Sequence, residues 1–375
     1  KENLSVTVTA NSVYDAQGNA ASTTQETSST ELNKVYLNDV AAPVISSTTM
    51  APFNEGVLVT FSESVFATNN MTGILAVSDF SLALSGGTAT LSSSTPTSIS
   101  GDNGPVITLG VSLSGLANGS EVITVSVVAN SIYDALDNIS STTQSNNTVN
   151  LKDKAPATIK SISVATNNAT VDVTMSENVF NASNGQGNLE KTDFAFTLNG
   201  GTATLVSPTP TTIGKTGNVY TLGINLSGTP DGAEILAVTP VANSIYDALG
   251  NLSLPEQTGN TDNLNDKASP IISGIDLANN NGKVEVTFSE AIFSKNDGSG
   301  AIDSLDFVLS LSGTGATLSQ ANPTTIEIVG NKYTLGVGIN GTPTGGETLK
   351  IVPAENAIYD AAGNVASTTQ SNNTK

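Results

Sequence analysis

A chain of 375 residues with 33 acidic against 13 basic side chains carries a formal charge of −20, which repels nucleic-acid phosphates and anionic membranes and attracts divalent cations. It has no Cys, no His and no Trp, so no disulfide staples the fold, no thiol or imidazole serves catalysis, and each domain needs an apolar core of its own. No apolar run reaches the roughly 18 to 20 residues that span a bilayer, so this segment is not expected to insert in a membrane, and a secretion signal or anchor would lie outside it.

Taken in chain order, the first landmark is NSVYDAQGN at 11–19, which returns as NSIYDALDN at 130–138, NSIYDALGN at 243–251 and NAIYDAAGN at 356–364, offsets of 119, 113 and 113. Linker strings LNDVAAPVI, LKDKAPATI and LNDKASPII start at 37, 151 and 264. FSE, MSE and FSE follow at 61, 175 and 288, and SDF, TDF and LDF at 78, 192 and 305. GGTATL at 86 and 200, GTGATL at 313, and TLG at 108, 221 and 334 complete the unit. The phase predicts residues 1–38 as the C-terminal part of a preceding repeat and three full repeats at 39–151, 152–264 and 265–375. The first linker is longer, since Asn11 to Asp39 spans 28 positions where Asn130 to Asp153 spans 23.

Within a repeat the period is that of strands, as in VDVTMSE at 171–177, and no window reads as an amphipathic helix. In the second repeat, strands are predicted near Thr158–Ala165, Ala169–Met175, Phe194–Asn199, Ala203–Pro208, Val219–Leu226, Glu234–Pro240 and Asp262–Asn265. Seven short strands in such a length imply an all-β fold of tandem immunoglobulin-like β-sandwich domains, each adding roughly 35 to 45 Å to an elongated rod. GKT at 214–216 lacks the upstream glycine of a phosphate loop and reads as a plain loop.

A strand ending in F-S-E, a later D-F and a terminal I-Y-D-A-x-G-N resemble the SwmB-type and related bacterial Ig-like repeats of giant surface proteins. The resemblance covers nearly all of each repeat and implies an extracellular protein of the bacterial cell surface, with an adhesin, motility-surface or envelope role.

If the strands alternate up and down, the linker, the end of the second strand and the loop after the sixth share one pole. That pole gathers Asp39, Glu63, Asp134 and Asn138 in the first repeat; Asp153, Glu177, Asp247 and Asn251 in the second; and Asp266, Glu290, Asp360 and Asn364 in the third. Such oxygen donors suit calcium, which takes six to eight ligands in flexible geometry, better than magnesium. Turn chemistry accounts for the same residues: the Asp of D-A-x-G-N forms an Asx-turn, its Gly and Asn take positive φ, and Asp137 stands in for Gly. Linker Asp residues can also pair with Lys154 or Lys267. Asp79, Asp193 and Asp306 read as turn caps or as further donors to the same site, and Tyr14, Tyr133, Tyr246 and Tyr359 as core residues with the hydroxyl at the rim.

The expected role is a non-enzymatic stalk or spacer of a large repetitive surface adhesin, stiffened by calcium at domain junctions, with neighbouring repeats as partners. One alternative is a surface filament or array built from further copies of the chain; the other is a glycan-binding module, poorly served by 5% aromatic residues and no Trp.

Overall fold

The computed structural model describes residues 2–24, 34–101 and 103–375, and two compact units divide the chain, Lys1–Ala155 and Pro156–Lys375. Among the described residues it is all-β, with antiparallel sheets and three-residue 3-10 turns at Val77–Asp79, Lys191–Asp193 and Ser304–Asp306 as the helical elements. The first unit holds one apolar core, between Ile45 and Leu151; the second holds two, Ala157 to Leu264 and Ile272 to Ala366.

The second repeat illustrates how sequence becomes sandwich. Its strands are β1 (Ile159–Val164), β2 (Thr170–Met175), β3 (Phe194–Asn199), β4 (Thr204–Leu205), β5 (Ile213–Thr216), β6 (Val219–Gly223), β7 (Leu226–Ser227), β8 (Ile235–Pro240) and β9 (Thr261–Asn263). One sheet runs β1-β2-β6-β5, a second β3-β8-β9, and β4 pairs with β7. Alternation puts Val171, Val173 and Met175 of β2, Phe194 and Phe196 of β3, Tyr220 and Leu222 of β6 and Leu236 and Val238 of β8 into one core. Each such side chain contributes about 1.5 to 3 kcal/mol by leaving water. Phe194 and Tyr220 meet across it with ring centroids 5.8 Å apart.

Three differences from the predicted strands have physical reasons. Ile213–Thr216, which carries the GKT read as a loop, is a strand: a mostly exposed edge hairpin turning through Gly217 at φ +59° onto β6. Predicted strand Val219–Leu226 breaks after Gly223, whose N–H and C=O bond the main chain at Thr212 and Thr211; Leu226–Ser227 then joins β4 in another pairing. Predicted strand Ala203–Pro208 shortens to two residues for the same reason.

Two features aim the site residues. Pairing of β1 with β2 slips between Ile159 and Ser161, a bulge that recurs between Ile45 and Ser47 and between Ile272 and Gly274. Beyond it the Ser of the F-S-E motif brackets the incoming strand: Ser289 donates its N–H to Ile271 O at 2.9 Å and its hydroxyl accepts from Ile271 N at 3.1 Å, fixing the Glu that follows. A glutamine does the same from the far side, Gln370 Oε1 accepting from Ile272 N at 2.8 Å.

Of the predicted remnant 1–38, Asn3–Ser5 pairs antiparallel with Lys34–Tyr36, while residue 1 and, within the longer linker, residues 25–33 lie outside the described residues.

Candidate metal centres

In the first unit Asp39, Glu63 and Asp134 offer carboxylate oxygens all within 4.8 Å of one another, and in the second unit Asp266, Glu290 and Asp360 do the same. Each comes from the element predicted: the linker, the end of the second strand opposite the bulge, and the loop after the long strand that precedes I-Y-D. That loop is anchored by a main-chain bridge, Tyr359 N to Phe293 O at 2.8 Å and Phe293 N to Tyr359 O at 2.7 Å, and by the Tyr359 hydroxyl donating to Asn356 O at 2.9 Å. The tyrosines of the three full repeats are thus half-buried loop braces.

The Asx-turn forms as the residue pattern dictates. Asp360 is fully buried; its Oδ1 accepts from Ala362 N at 2.9 Å and Asn364 N at 2.7 Å, and its Oδ2 from Asn364 Nδ2 at 2.7 Å. Asp134 with Leu136 and Asn138, and Asp247 with Leu249 and Asn251, repeat it. Positive φ falls on Gly250, Gly363 and Asp137, as predicted for the glycine position, but not on the terminal Asn138, Asn251 or Asn364. The left-handed asparagines are instead Asn130, Asn243 and Asn356, whose carbonyls receive the tyrosine hydroxyls. An ionised carboxylate has about four lone-pair positions, so three turn bonds leave Asp360 one more to give through Oδ2.

Charge is crowded here. Burial pushes Glu290 up to about 7, with Asp266, Asp360 and Asp231 adding repulsion against a weak opposing bond from Ser289. Burial also raises Asp266, over the opposing Ala268 N–H bond, with Asp360, Asp231 and Glu234 reinforcing it. Glu63 is raised in the same way by burial and then by Asp134 and Asp39. Of the remaining predicted set, Asp153 lies in the first unit, its Oδ1 accepting from Ala155 N at 3.0 Å, while Glu177, Asp247 and Asn251 lie in the second. Asn138 turns its Nδ2 toward the acids, donating to Asp134 Oδ2 at 2.7 Å and to Asp39 O at 3.3 Å, so this amide nitrogen is a donor there and not a cation ligand.

Asp79, Asp193 and Asp306 stand outside these groups and cap the 3-10 turns, Asp306 Oδ2 accepting from Asp303 N at 2.8 Å. Sequence reading missed Asp231 and the fully buried Glu121 and Glu234. Glu121 takes Thr88 N at 2.6 Å and Ala89 N at 2.9 Å, and Glu234 takes Thr202 and Ala203 N, each at 2.8 Å. Burial alone would raise Glu121, but these amide donors outweigh it and hold it low. The signal was present as GGT followed in each case by a Glu that opens the next long strand.

No protein-family model and no curated protein matches the chain. A solved structure of invasin, a bacterial integrin-binding protein, is similar at 14% identity and a TM-score of 0.22 over 84% of this chain and 56% of that one. This chain therefore spans little more than half of that structure, and a likeness so loose sets no constraint on its function.

Proposed function

We infer that the chain is a structural array of β-sandwich repeats, a spacer within a bacterial cell-surface protein, and that calcium joins its carboxylate clusters and stiffens its junctions. The convergence of Asp266, Glu290 and Asp360, with Asp231 of the preceding repeat close enough to raise Glu290, carries this reading. Carboxylates held together by burial and repelling one another lose that repulsion when a divalent cation enters. The linker Asp266 and the two acids of the third repeat then share one charge centre. Hard oxygen donors from three loops suit calcium, and extracellular modules bind it at roughly 10⁻⁴ to 10⁻³ M. With millimolar calcium, a site at the tighter end adds on the order of 1.4 kcal/mol by mass action.

Thermal unfolding in millimolar calcium and in excess chelator, with small-angle scattering on the same samples, tests it. A higher melting temperature and a stiffer particle with calcium are expected; superimposable melting and scattering curves would reduce the clusters to turn chemistry.

A further inference from the structure

The four-stranded sheet of each full repeat ends on a strand that, among the described residues, no further strand pairs with, and the three repeats treat that edge differently. A free edge offers unpaired N–H and C=O groups to any other strand, and proteins blunt it by shortening it or by turning a charge inward. In the first repeat the edge strand has two residues, Ile99–Ser100, and stops at Gly101, φ +99°.

In the second repeat Lys215 guards the edge strand β5. It pairs with Tyr220 in the register of β5 on β6, and its ammonium leans inward over that buried ring, 5.3 Å from the centroid. A strand laid along β5 would have to bury this charge. Gly214, Lys215 and Thr216 stay exposed although a further repeat follows them in the chain, so the edge is free by the order of the sheet itself.

The third repeat keeps the strand at four residues, Ile326–Val329, and puts Ile328 where the second has Lys215, opposite Tyr333. Ile328 is 47% and Val329 77% exposed. The two-residue turn Gly330–Asn331 makes Val329 and Lys332 the first hydrogen-bonded pair of the hairpin, so alternation directs the N–H and C=O of Ile326 and Ile328 to the free side. The hairpin tip is tied to Phe288, whose N–H donates to Asn331 O at 3.0 Å, at the end where the chain enters the repeat through Ile272. Charge is balanced on the outer face beside the edge: Lys283 Nζ meets Glu327 Oε1 at 2.7 Å, and Lys332 Nζ meets Glu285 Oε1 at 2.8 Å. On a chain of formal charge −20, these two pairs leave a place where a second copy can approach without like-charge repulsion.

We propose that this edge is a self-association site, at which strand Ile326–Val329 of one copy pairs antiparallel with the same strand of a second copy about a two-fold axis at Ile328. The register follows from the outward groups. Pairing Ile328 with its own counterpart lets the two residues exchange N–H···O bonds and sets Ile326 opposite Gly330 of the other copy. A register with Ile326 opposite Ile328 would set the two Glu327 side chains directly against each other, a like-charge contact that disfavours it. With Ile328 on the axis, Glu327 faces Val329 of the other copy and the two Ile328 side chains cover each other. A contact of four residues a side is small, so the association is weak and shows at high protein concentration.

Sedimentation of the 375-residue protein at rising concentration, in chelator so that no cation bridges carboxylate clusters, tests the proposal. A concentration-dependent dimer is expected. Ile328→Lys, which installs the residue that the second repeat carries over its own tyrosine, should weaken the dimer at least tenfold while the third repeat keeps its melting temperature. The reciprocal Lys215→Ile should add a second associating edge and yield species larger than dimers. The chain has no Cys, so Ile328→Cys reads the register: oxidation should link its copies at least tenfold faster than it links those of the Lys215→Cys protein. A particle monomeric to about 1 mM, association untouched by Ile328→Lys, or equal linking at the two positions overturns the proposal. So does a monomer whose Ile328 and Val329 amides shift only when a foreign strand is added, which would make the edge a docking site for another protein.

Discussion

The loop at Asp15 and the loop at Asp360 are built from the same residues and make the same bonds, yet sit in opposite electrostatic settings. Asp15 accepts from Gln17 N at 3.0 Å, Asn19 N at 2.8 Å and Asn19 Nδ2 at 2.8 Å, and the Asn19 bonds hold its carboxyl below the usual range. Asp360 makes the equivalent three bonds fully buried, beside Asp266 and a Glu290 pushed up to about 7. The turn is therefore autonomous, formed wherever D-A-x-G-N occurs. The crowding of carboxylates is an addition, made by the linker and the end of the second strand rather than by the turn.

Substituting the shared aspartate gives the largest separation of the two settings. Asp360→Ala strands the N–H groups of Ala362 and Asn364 in a buried loop and should cost the third repeat about 3 kcal/mol. Asp15→Ala removes the same bonds in full solvent and should leave the melting of the three cores unchanged. Calorimetry of the two variants reads this directly. Equal losses would mean that the turn matters only for the chain's local path, not for the core it closes.

A smaller effect isolates the crowding. Glu290 has its proton affinity raised from 4.5 unfolded to about 7 folded, so between those values the native state binds more protons than the unfolded one. Metal-free stability from this group is therefore greatest below about 4.5, falls as pH rises through the window, and is lowest above 7. Solvent screening reduces the full linkage value, leaving about 1 kcal/mol. Glu290→Gln should thus raise the melting temperature at pH 8 in chelator and, if the cluster holds calcium as proposed, lower it in millimolar calcium. A variant stabilised equally in both media would show that the cluster carries repulsion without a cation to relieve it.

The legibility of these features in the sequence followed from what kind of residue carries them. Landmarks that recur as strings, such as F-S-E and I-Y-D-A-x-G-N, placed the three acids on the correct elements, because alternation and turn residues determine strand ends locally. Ile213–Thr216 was missed because an edge strand whose Gly, Lys and Thr are exposed has no buried face to alternate; its partner across Gly217 makes it a strand. Glu234 was passed over as a polar residue opening a strand. Its burial becomes visible only when the N–H groups of Thr202 and Ala203 are seen to converge on it. Asp231 escaped because the first and third repeats carry Asn118 and Thr344 at that position, so the repeat itself concealed it.

The smallest contrast lies between two glycines with the same backbone. Gly232 and Gly345 both need positive φ, at +79° and +84°, so replacing either with Ala incurs the left-handed strain of about 1 kcal/mol. At Gly345 the new methyl meets open space, whereas at Gly232 it stands 3.2 Å from the Cβ of Asp266 and pushes the linker away from the preceding repeat. Gly232→Ala should therefore cost about 0.5 kcal/mol more than Gly345→Ala. If calcium joins the cluster as proposed, Gly232→Ala should also weaken its stabilising effect, since the Asp266 carboxylate is displaced, while Gly345→Ala leaves that effect intact. If both variants lose the calcium response equally, the metal does not depend on the close packing of linker against loop, and Asp266 is not part of the clamp.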